Sequence, residues 1–453
     1  MPFASLSRRH LLLLLGSTAV LPMLPDAAHA QSAPAARLII LSDLHSAYER
    51  SAQLLAAVAA ELAASPAPAA ILINGDVFEL GNVVATRSAG VIDWKLLEKL
   101  SRLAPTVLNI GNHEPDLIND LAQLIARARR AGLTVVSNIT DKRTGAPFTQ
   151  AGFQLDLGPI PVALVGIATP ALTTYPKASR DQLGIPDPLE WATANLEGNL
   201  PKGSLHVVLS HAGVVADRGI LPLLSDGSLL VGGHDHLVLE HAEGNTRYVH
   251  TGSWSSLITV VDIGADRALS LRQVQVERDG AADAELAALI GATFAEHLSP
   301  EELAIVGISE KAQTLGESAR FAAAALAAAG AGDVGFIGHT TFGTGLPSGE
   351  VTKYAFDAVV RFDGKLMRAE VDRPTLDQLI ARCNQDGDIP LSARTGDFLY
   401  AAPVQLADKA TYAIVCNDWS ATNQKSYFGR EDLAFTEIPG LKVKATVLKA
   451  LNA

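Results

Sequence analysis

Cysteine is nearly missing from this chain: Cys383 and Cys416 are the only two among 453 residues. One disulfide is the most they can make, and the sequence leaves open whether they pair or stay as free thiols. Blocks of Lys or Arg are missing too, and the formal net charge is −12. That balance argues against a nucleic-acid polymer or an anionic membrane surface as main partner. A small anionic ligand remains compatible with it, provided bound metal supplies the local positive charge. Long apolar runs are also lacking. The stretch behind Arg8 and Arg9 is broken by Pro22 and Pro25, short of the roughly 20 apolar residues that a stable membrane anchor needs. Repeats and low-complexity tracts do not occur beyond an alanine bias, which is ordinary helix-forming material.

What is present describes a folded, exported protein. Hydrophobic residues make up 48% and charged ones 19%, a globular balance, and the length exceeds what one core usually supports, so two domains are expected. Ser7-Arg8-Arg9-His10-Leu11-Leu12 opens the N-terminal apolar run, and Ala28-His29-Ala30 closes it with small residues. Residues 1–30 therefore read as a signal peptide cleaved near Ala30, with a mature chain from about Gln31. The paired arginines resemble a twin-arginine signal, which implies the twin-arginine export machinery as partner and the bacterial periplasm as destination.

From 36 to 277, short apolar runs such as Leu38-Ile39-Ile40-Leu41, Ala70-Ile71-Leu72-Ile73 and Leu229-Leu230-Val231 alternate with patterns of helical spacing. Buried strands alternating with helices predict a layered α/β domain. After 278–281, a hinge candidate, alanine-rich helical patterns fill a linker over 278–330. A second, α+β domain is expected over 331–453, with strand-like pieces at Ala358-Val359-Val360, Ala413-Ile414-Val415 and 443–447.

Five blocks follow the apolar runs of the first domain. Asp43-Leu44-His45 places a carboxylate and an imidazole within reach of one metal. Gly75-Asp76 sets a lone carboxylate at a sheet edge, where its two oxygens can bridge two cations. In Gly111-Asn112-His113-Glu114-Pro115-Asp116 the neutral Asn112 oxygen is an unusual ligand. His113 is free to face substrate there, Asp116 can fix its tautomer or charge, and Gly111 lets the backbone turn sharply. His211-Ala212-Gly213 adds an imidazole. In Gly232-Gly233-His234-Asp235-His236 the alternate residues point one way, so His234 and His236 face inward and Asp235 outward. Singly each block has a bland explanation as a turn or a structural histidine. Five in one order, each at the end of an apolar strand, point to a metal site. His206, His241, His250 and His297 fall outside the blocks and read as structural or surface residues; His339 stays open. No Ser sits inside a matching constellation, so a serine-nucleophile phosphatase is disfavoured.

The order D-x-H, G-D, G-N-H-E, H-x-G, G-G-H-x-H resembles the calcineurin-like metallophosphoesterases, and the Asn-His-Glu-x-Asp form resembles bacterial periplasmic 5′-nucleotidases and UDP-sugar hydrolases. The resemblance implies a four-layer β-sandwich flanked by helices, with a smaller C-terminal domain of the 5′-nucleotidase type. It implies that Asp43, His45, Asp76 and His236 hold one divalent metal and that Asp76, Asn112, His211 and His234 hold the other, with Asp76 bridging. His236 departs from the nucleotidases, which commonly carry Gln there, but keeps a coordinating side chain. Mn, Zn or Fe all suit such mixed ligands. A metal-bridging hydroxide would attack phosphorus in line, with His113 and Asp116 stabilising the transition state or protonating the leaving group.

In that family the C-terminal domain sandwiches the base of a nucleotide between two aromatic rings, and Phe362 and Trp419 fall where those rings would be. The loops around them depart from the pattern. Gly343 stands near the position of a family Arg, and Thr422-Asn423-Gln424-Lys425-Ser426 replaces a glycine turn. The expected substrate is a small phosphorylated molecule of the nucleotide kind. A thiosulfohydrolase-like enzyme of sulfur oxidation on the same scaffold is the alternative enzyme. A metal-stabilised binding protein without catalysis is the third reading, disfavoured because both His113 and Asp116 are kept.

Overall fold

The computed structural model describes residues 33–453; the signal segment expected at 1–30 lies outside the described residues. Residues 34–453 form one compact unit. Its first part is two six-stranded sheets laid face to face. In sheet I the order is Leu269–Gln275, Leu257–Ile263, Ala36–Leu41, Ala69–Asn74, Thr106–Asn109 and Thr134–Val136. The last four run parallel, and the first two are antiparallel additions at one edge. In sheet II the order is Val238–Glu243, Thr246–Thr251, Leu229–Gly232, Leu205–His211, Ile160–Ala168 and Gly152–Leu157. Its middle four are parallel and its outer two antiparallel.

Alternation of side chains explains the layering. Leu38, Ile40, Ala70 and Leu72 of sheet I meet Val207, Leu209, Leu229 and Val231 of sheet II in one buried cluster. The intervening Ile39, Leu41, Ile71 and Ile73 face the other way, under helices Tyr48–Ala63 and Val91–Leu103. Sheet II turns Val165, Ile167, Val208 and Leu230 toward helices Pro188–Asn199 and Val214–Ile220. The result is helix, sheet, sheet, helix, the four-layer sandwich that the resemblance implied. Strands covered on both faces read as unbroken apolar runs, which is why they were visible.

The C-terminal part is built on a five-stranded sheet III, ordered Leu399–Ala402, Val334–Gly338, Tyr412–Asn417, Lys365–Val371 and Thr436–Lys442. Helix Leu315–Ala329 packs against it and starts on a reciprocal cap between Thr314 and Glu317. The stretch 278–330 holds three helices and also the strand Ile305–Ser309, which pairs with Gly349–Thr352. Among the described residues no helix is long and apolar enough to cross a membrane.

Two expected strands are helices. Residues 358–360 fall at the end of helix Lys353–Val359, and 443–447 open helix Val443–Leu451. Their β-branched residues suggested strands. However, Val443 and Val447 are four apart and both buried, and so are Phe356 and Val359, three apart. One buried face at helical spacing outweighs local preference.

Candidate metal centre

All the metal-directed blocks follow parallel strands, so they gather at the same edge of the sandwich, beyond the carboxyl ends. Sheet I delivers Asp43, His45, Asp76, Asn112 and His113; sheet II delivers His211, His234 and His236. Asp43, His45 and His236 form one group with ligand atoms within 4.8 Å of one another, and Asp76, His211 and His234 form a second. Asp76 touches both groups: its Oδ2 lies 3.1 Å from His211 Nε2 and 3.8 Å from His45 Nε2. Asn112 Oδ1 meets His234 Nδ1 at 2.8 Å, and His45 Nε2 meets His236 Nε2 at 2.8 Å.

These residues fit a pair of divalent cations. His211 Nδ1 lies 2.6 Å from the Asn74 carbonyl, which takes its proton and leaves the buried Nε2 facing the Asp76 and Asp43 carboxylates as the ligand atom. Two facing imidazole nitrogens and two clustered carboxylates make an arrangement that favours positive charge between them. Burial, reinforced by the neighbouring Asp76 charge, raises Asp43 to about 6. Burial likewise lowers His45 and His234 to about 4 and His236 well below its usual range, which keeps all three neutral and ligand-competent. For His211 burial pulls down, but the Asp76 and Asp43 carboxylates outweigh it and lift it to about 10, so without a cation Nε2 holds a proton toward Asp76 that a bound metal would displace.

The Asn-His-Glu-x-Asp block splits into three tasks. His113 Nδ1 lies 2.8 Å from Asp116 Oδ2, and 19% of the His113 side chain stays open. Burial opposes charge on this imidazole, yet Asp116 and Asp76 raise it to about 10. That shift favours the cation, with Nδ1–H held by Asp116 and Nε2 left without a hydrogen-bond partner. Glu114 is fully buried and accepts from the backbone N–H of Asp76, Val77 and Gly111, tying two loops together. Gly111 is required for close approach rather than for a turn, because a Cβ there would overlap Asp76 Oδ1.

Several working residues were not singled out from sequence. Glu79, three positions past Asp76, sits 3.3 Å from His45 Nδ1 and makes a buried ion pair with Arg361 of the C-terminal part. Burial disfavours its charge, but the guanidinium holds the carboxyl well below the usual range. Trp254 stacks on His45, with ring centres 5.8 Å apart. Asp235 does turn from the metal groups as expected, but into the interior, where it accepts from Val214 N–H while its carbonyl lies 2.7 Å from His339 Nε2. His339 thus supports the His234–His236 turn. Proximity to Gly75-Asp76 was the only signal for Glu79, and adjacency to Phe362 the only one for Arg361.

Phe362 and Trp419 are 49% and 58% exposed. Arg361 lies 4.9 Å over the Phe362 ring, and Trp419 Nε1 donates to the Tyr427 hydroxyl. Both cysteines are free thiols.

Residues 36–238 match the calcineurin-like phosphoesterase family. Comparison with curated proteins finds no match. Among solved structures, a 5′-nucleotidase precursor from Thermus thermophilus is similar at 17% identity, covering 92% of this chain and 96% of that one, with a TM-score of 0.59. The sulfate thiohydrolase SoxB from Thermus thermophilus is similar at 15% identity over 92% and 94%, with a TM-score of 0.63. A 5′-nucleotidase from Candida albicans is similar at 11% identity over 93% and 99%, with a TM-score of 0.57. At these identities the likeness is one of fold.

Proposed function

With residues 36–238 a calcineurin-like phosphoesterase domain, we propose that the chain is a two-metal hydrolase of small phosphoesters, nucleotides foremost. The observation that carries this is the pair of ligand groups sharing Asp76, with the His113–Asp116 pair beside them. Asp43, His45, Asp76 and His236 would hold one cation, and Asp76, Asn112, His211 and His234 the other. Two bound cations supply an acidic water for attack and neutralise charge on the phosphoryl oxygens.

The chain's own residues do the rest. Asp116 keeps the His113 cation oriented with its free N–H on the open side, where it donates a proton to the leaving oxygen. Glu114 holds the Asp76 and Gly111 loops together, which keeps His113 in register with the ligands. The exposed Phe362 and Trp419 rings would grip the base of a nucleotide. Export through the twin-arginine route, with 1–30 removed, is part of the same proposal. It predicts that an Arg8→Lys/Arg9→Lys chain stays in the cytoplasm uncleaved.

The test is a panel assay. Purified protein loaded with Mn²⁺ or Zn²⁺ is offered 5′-nucleotides, UDP-sugars, a generic aryl phosphate and a peptide carrying a sulfur-linked sulfate. Turnover of the nucleotides or UDP-sugars is expected. Turnover of the aryl phosphate alone rejects the base grip, turnover of the sulfated peptide alone moves the chain to thiohydrolase chemistry, and no turnover on any rejects the proposal.

A further inference from the structure

The metal groups lie wholly within the first part of the chain, yet the support behind one of them comes from the second. Arg361 is 6% exposed and Glu79 5%, and they form an ion pair across 282 positions of sequence. A buried pair of this kind costs desolvation at both ends, so its place matters more than its energy. The Glu79 oxygen that meets Arg361, Oε2, also lies 3.3 Å from Nδ1 of His45, the nitrogen opposite the one facing His236, while Oε1 accepts from the Gly81 N–H. A carboxylate at Nδ1 selects the tautomer whose Nε2 carries a lone pair and fixes the ring plane.

A second route reaches the same histidine. The Arg361 guanidinium lies 5.4 Å over the Trp254 ring, and that indole stacks on His45. The Trp254 backbone N–H also donates to the Asp43 carbonyl at 2.7 Å. Room for the indole is made by Gly343, also from the C-terminal part, where a Cβ would overlap the ring. The edge of His45 and its face are therefore both braced through Arg361.

We propose that Arg361 is a positioning residue of the metal centre: through Glu79 and Trp254 it sets His45, so the Asp43–His45–His236 half-site is completed by the C-terminal part of the chain. This rests on the two-cation reading above. It assigns the other half-site, Asp76–Asn112–His211–His234, no such dependence on Arg361.

Glu79→Gln separates this role from mere packing. In Glu79 one oxygen serves both His45 and the guanidinium and the other accepts from the Gly81 N–H, so a neutral Gln must turn its amide N–H either onto Gly81 or onto His45 and Arg361. Facing its amide to His45 would impose the tautomer whose Nε2 carries the proton. The experiment titrates Mn²⁺ into the full chain by equilibrium dialysis and follows spin coupling of the pair by EPR. Wild type should bind two Mn²⁺ with a coupled signal. Glu79→Gln and Arg361→Met should weaken one site by roughly 10- to 100-fold, leave the other within about twofold on that scale, and lose the coupled signal at concentrations that fill wild type. Arg361→Lys, which keeps the charge, should recover most of the affinity lost in Arg361→Met. Near-UV circular dichroism of the metal-free proteins checks the fold. If Arg361→Met does not fold, Glu79→Gln, which keeps shape and volume, decides. Two Mn²⁺ bound as in wild type overturns the proposal, and so does equal loss of both sites, the mark of a general prop. A wild-type chain that fails to bind a Mn²⁺ pair sinks the two-cation reading itself, a distinguishable failure.

Discussion

Five side chains of the two candidate metal groups stand on backbone that L-residues rarely adopt. Asp43, His45, Asp76, His234 and His236 have φ of +51°, +48°, +56°, +76° and +55°, each costing on the order of 1 kcal/mol or more. Strain of that kind persists where the surrounding contacts over-determine it. His113 is not among them; its φ is −91°, and although it lies within 4.8 Å of His45 and Asp76 its side chain keeps 19% exposure. The division predicts separable losses. His113→Ala should leave two metals per chain by elemental analysis while turnover falls by roughly 10²- to 10⁴-fold, the usual worth of a positioned general acid. Loss of metal from this variant would make His113 a ligand instead. Legibility follows the same division. The strained ligands and His113 were readable because each lies within a few residues of an apolar strand end. Glu79 and Arg361 were not, because their meaning depends on a contact between residues 282 positions apart.

Helices that cover sheet I carry their own buried acid. Tyr48, first residue of helix Tyr48–Ala63, donates its hydroxyl to Asp93 Oδ2 in helix Val91–Leu103 at 2.5 Å, with both residues buried. Burial raises the Asp93 carboxyl to about 7, against the pull of the hydrogen bond from Tyr48. A carboxyl raised in the folded state binds its proton more tightly there than in the unfolded chain. Its contribution is therefore complete below about 4 and is lost as pH rises through about 7. Asp93→Asn removes the titration and keeps an acceptor for Tyr48. Melting of the metal-free variant should exceed that of the parent at pH 8, and the gap should narrow as pH falls from about 7 toward about 4, at about 1.4 kcal/mol per pH step of one. A gap independent of pH would show that Asp93 is ionised in the fold throughout. At this scale, elements with two covered faces announced themselves, whereas Val443–Leu451 and Lys353–Val359 did not. Short helices with a single buried face of β-branched or aromatic residues look like strands until the sheet they lean on is known.

Over the whole molecule, the two parts are joined at the reacting end. Beyond the Arg361–Glu79 pair, His339 Nε2 meets the Asp235 carbonyl, and Arg50 and Arg278 both donate to Thr344. The 278–281 stretch expected as a hinge is thus fastened at its first residue, since Arg278 also reaches the Gly345 carbonyl. Two of these ties end on the loops that present metal ligands, so cation binding and domain docking should be thermodynamically linked. A ligand at a hundred times its Kd stabilises the state that binds it by about 2.7 kcal/mol per site. If the C-terminal part belongs to that state, stripping the metals must lower its stability along with that of the sandwich. Calorimetry of the chain with and without chelator reads this directly, and the emission difference from a Trp419→Phe chain isolates Trp419, whose indole bonds Tyr427 next to sheet III, from Trp94, Trp191 and Trp254 of the first part. Both signals should move to lower temperature together when metal is removed. A sandwich transition that shifts while the Trp419 signal stays put would mean that the contacts at Glu79 and Asp235 carry no coupling, and that the C-terminal part holds itself.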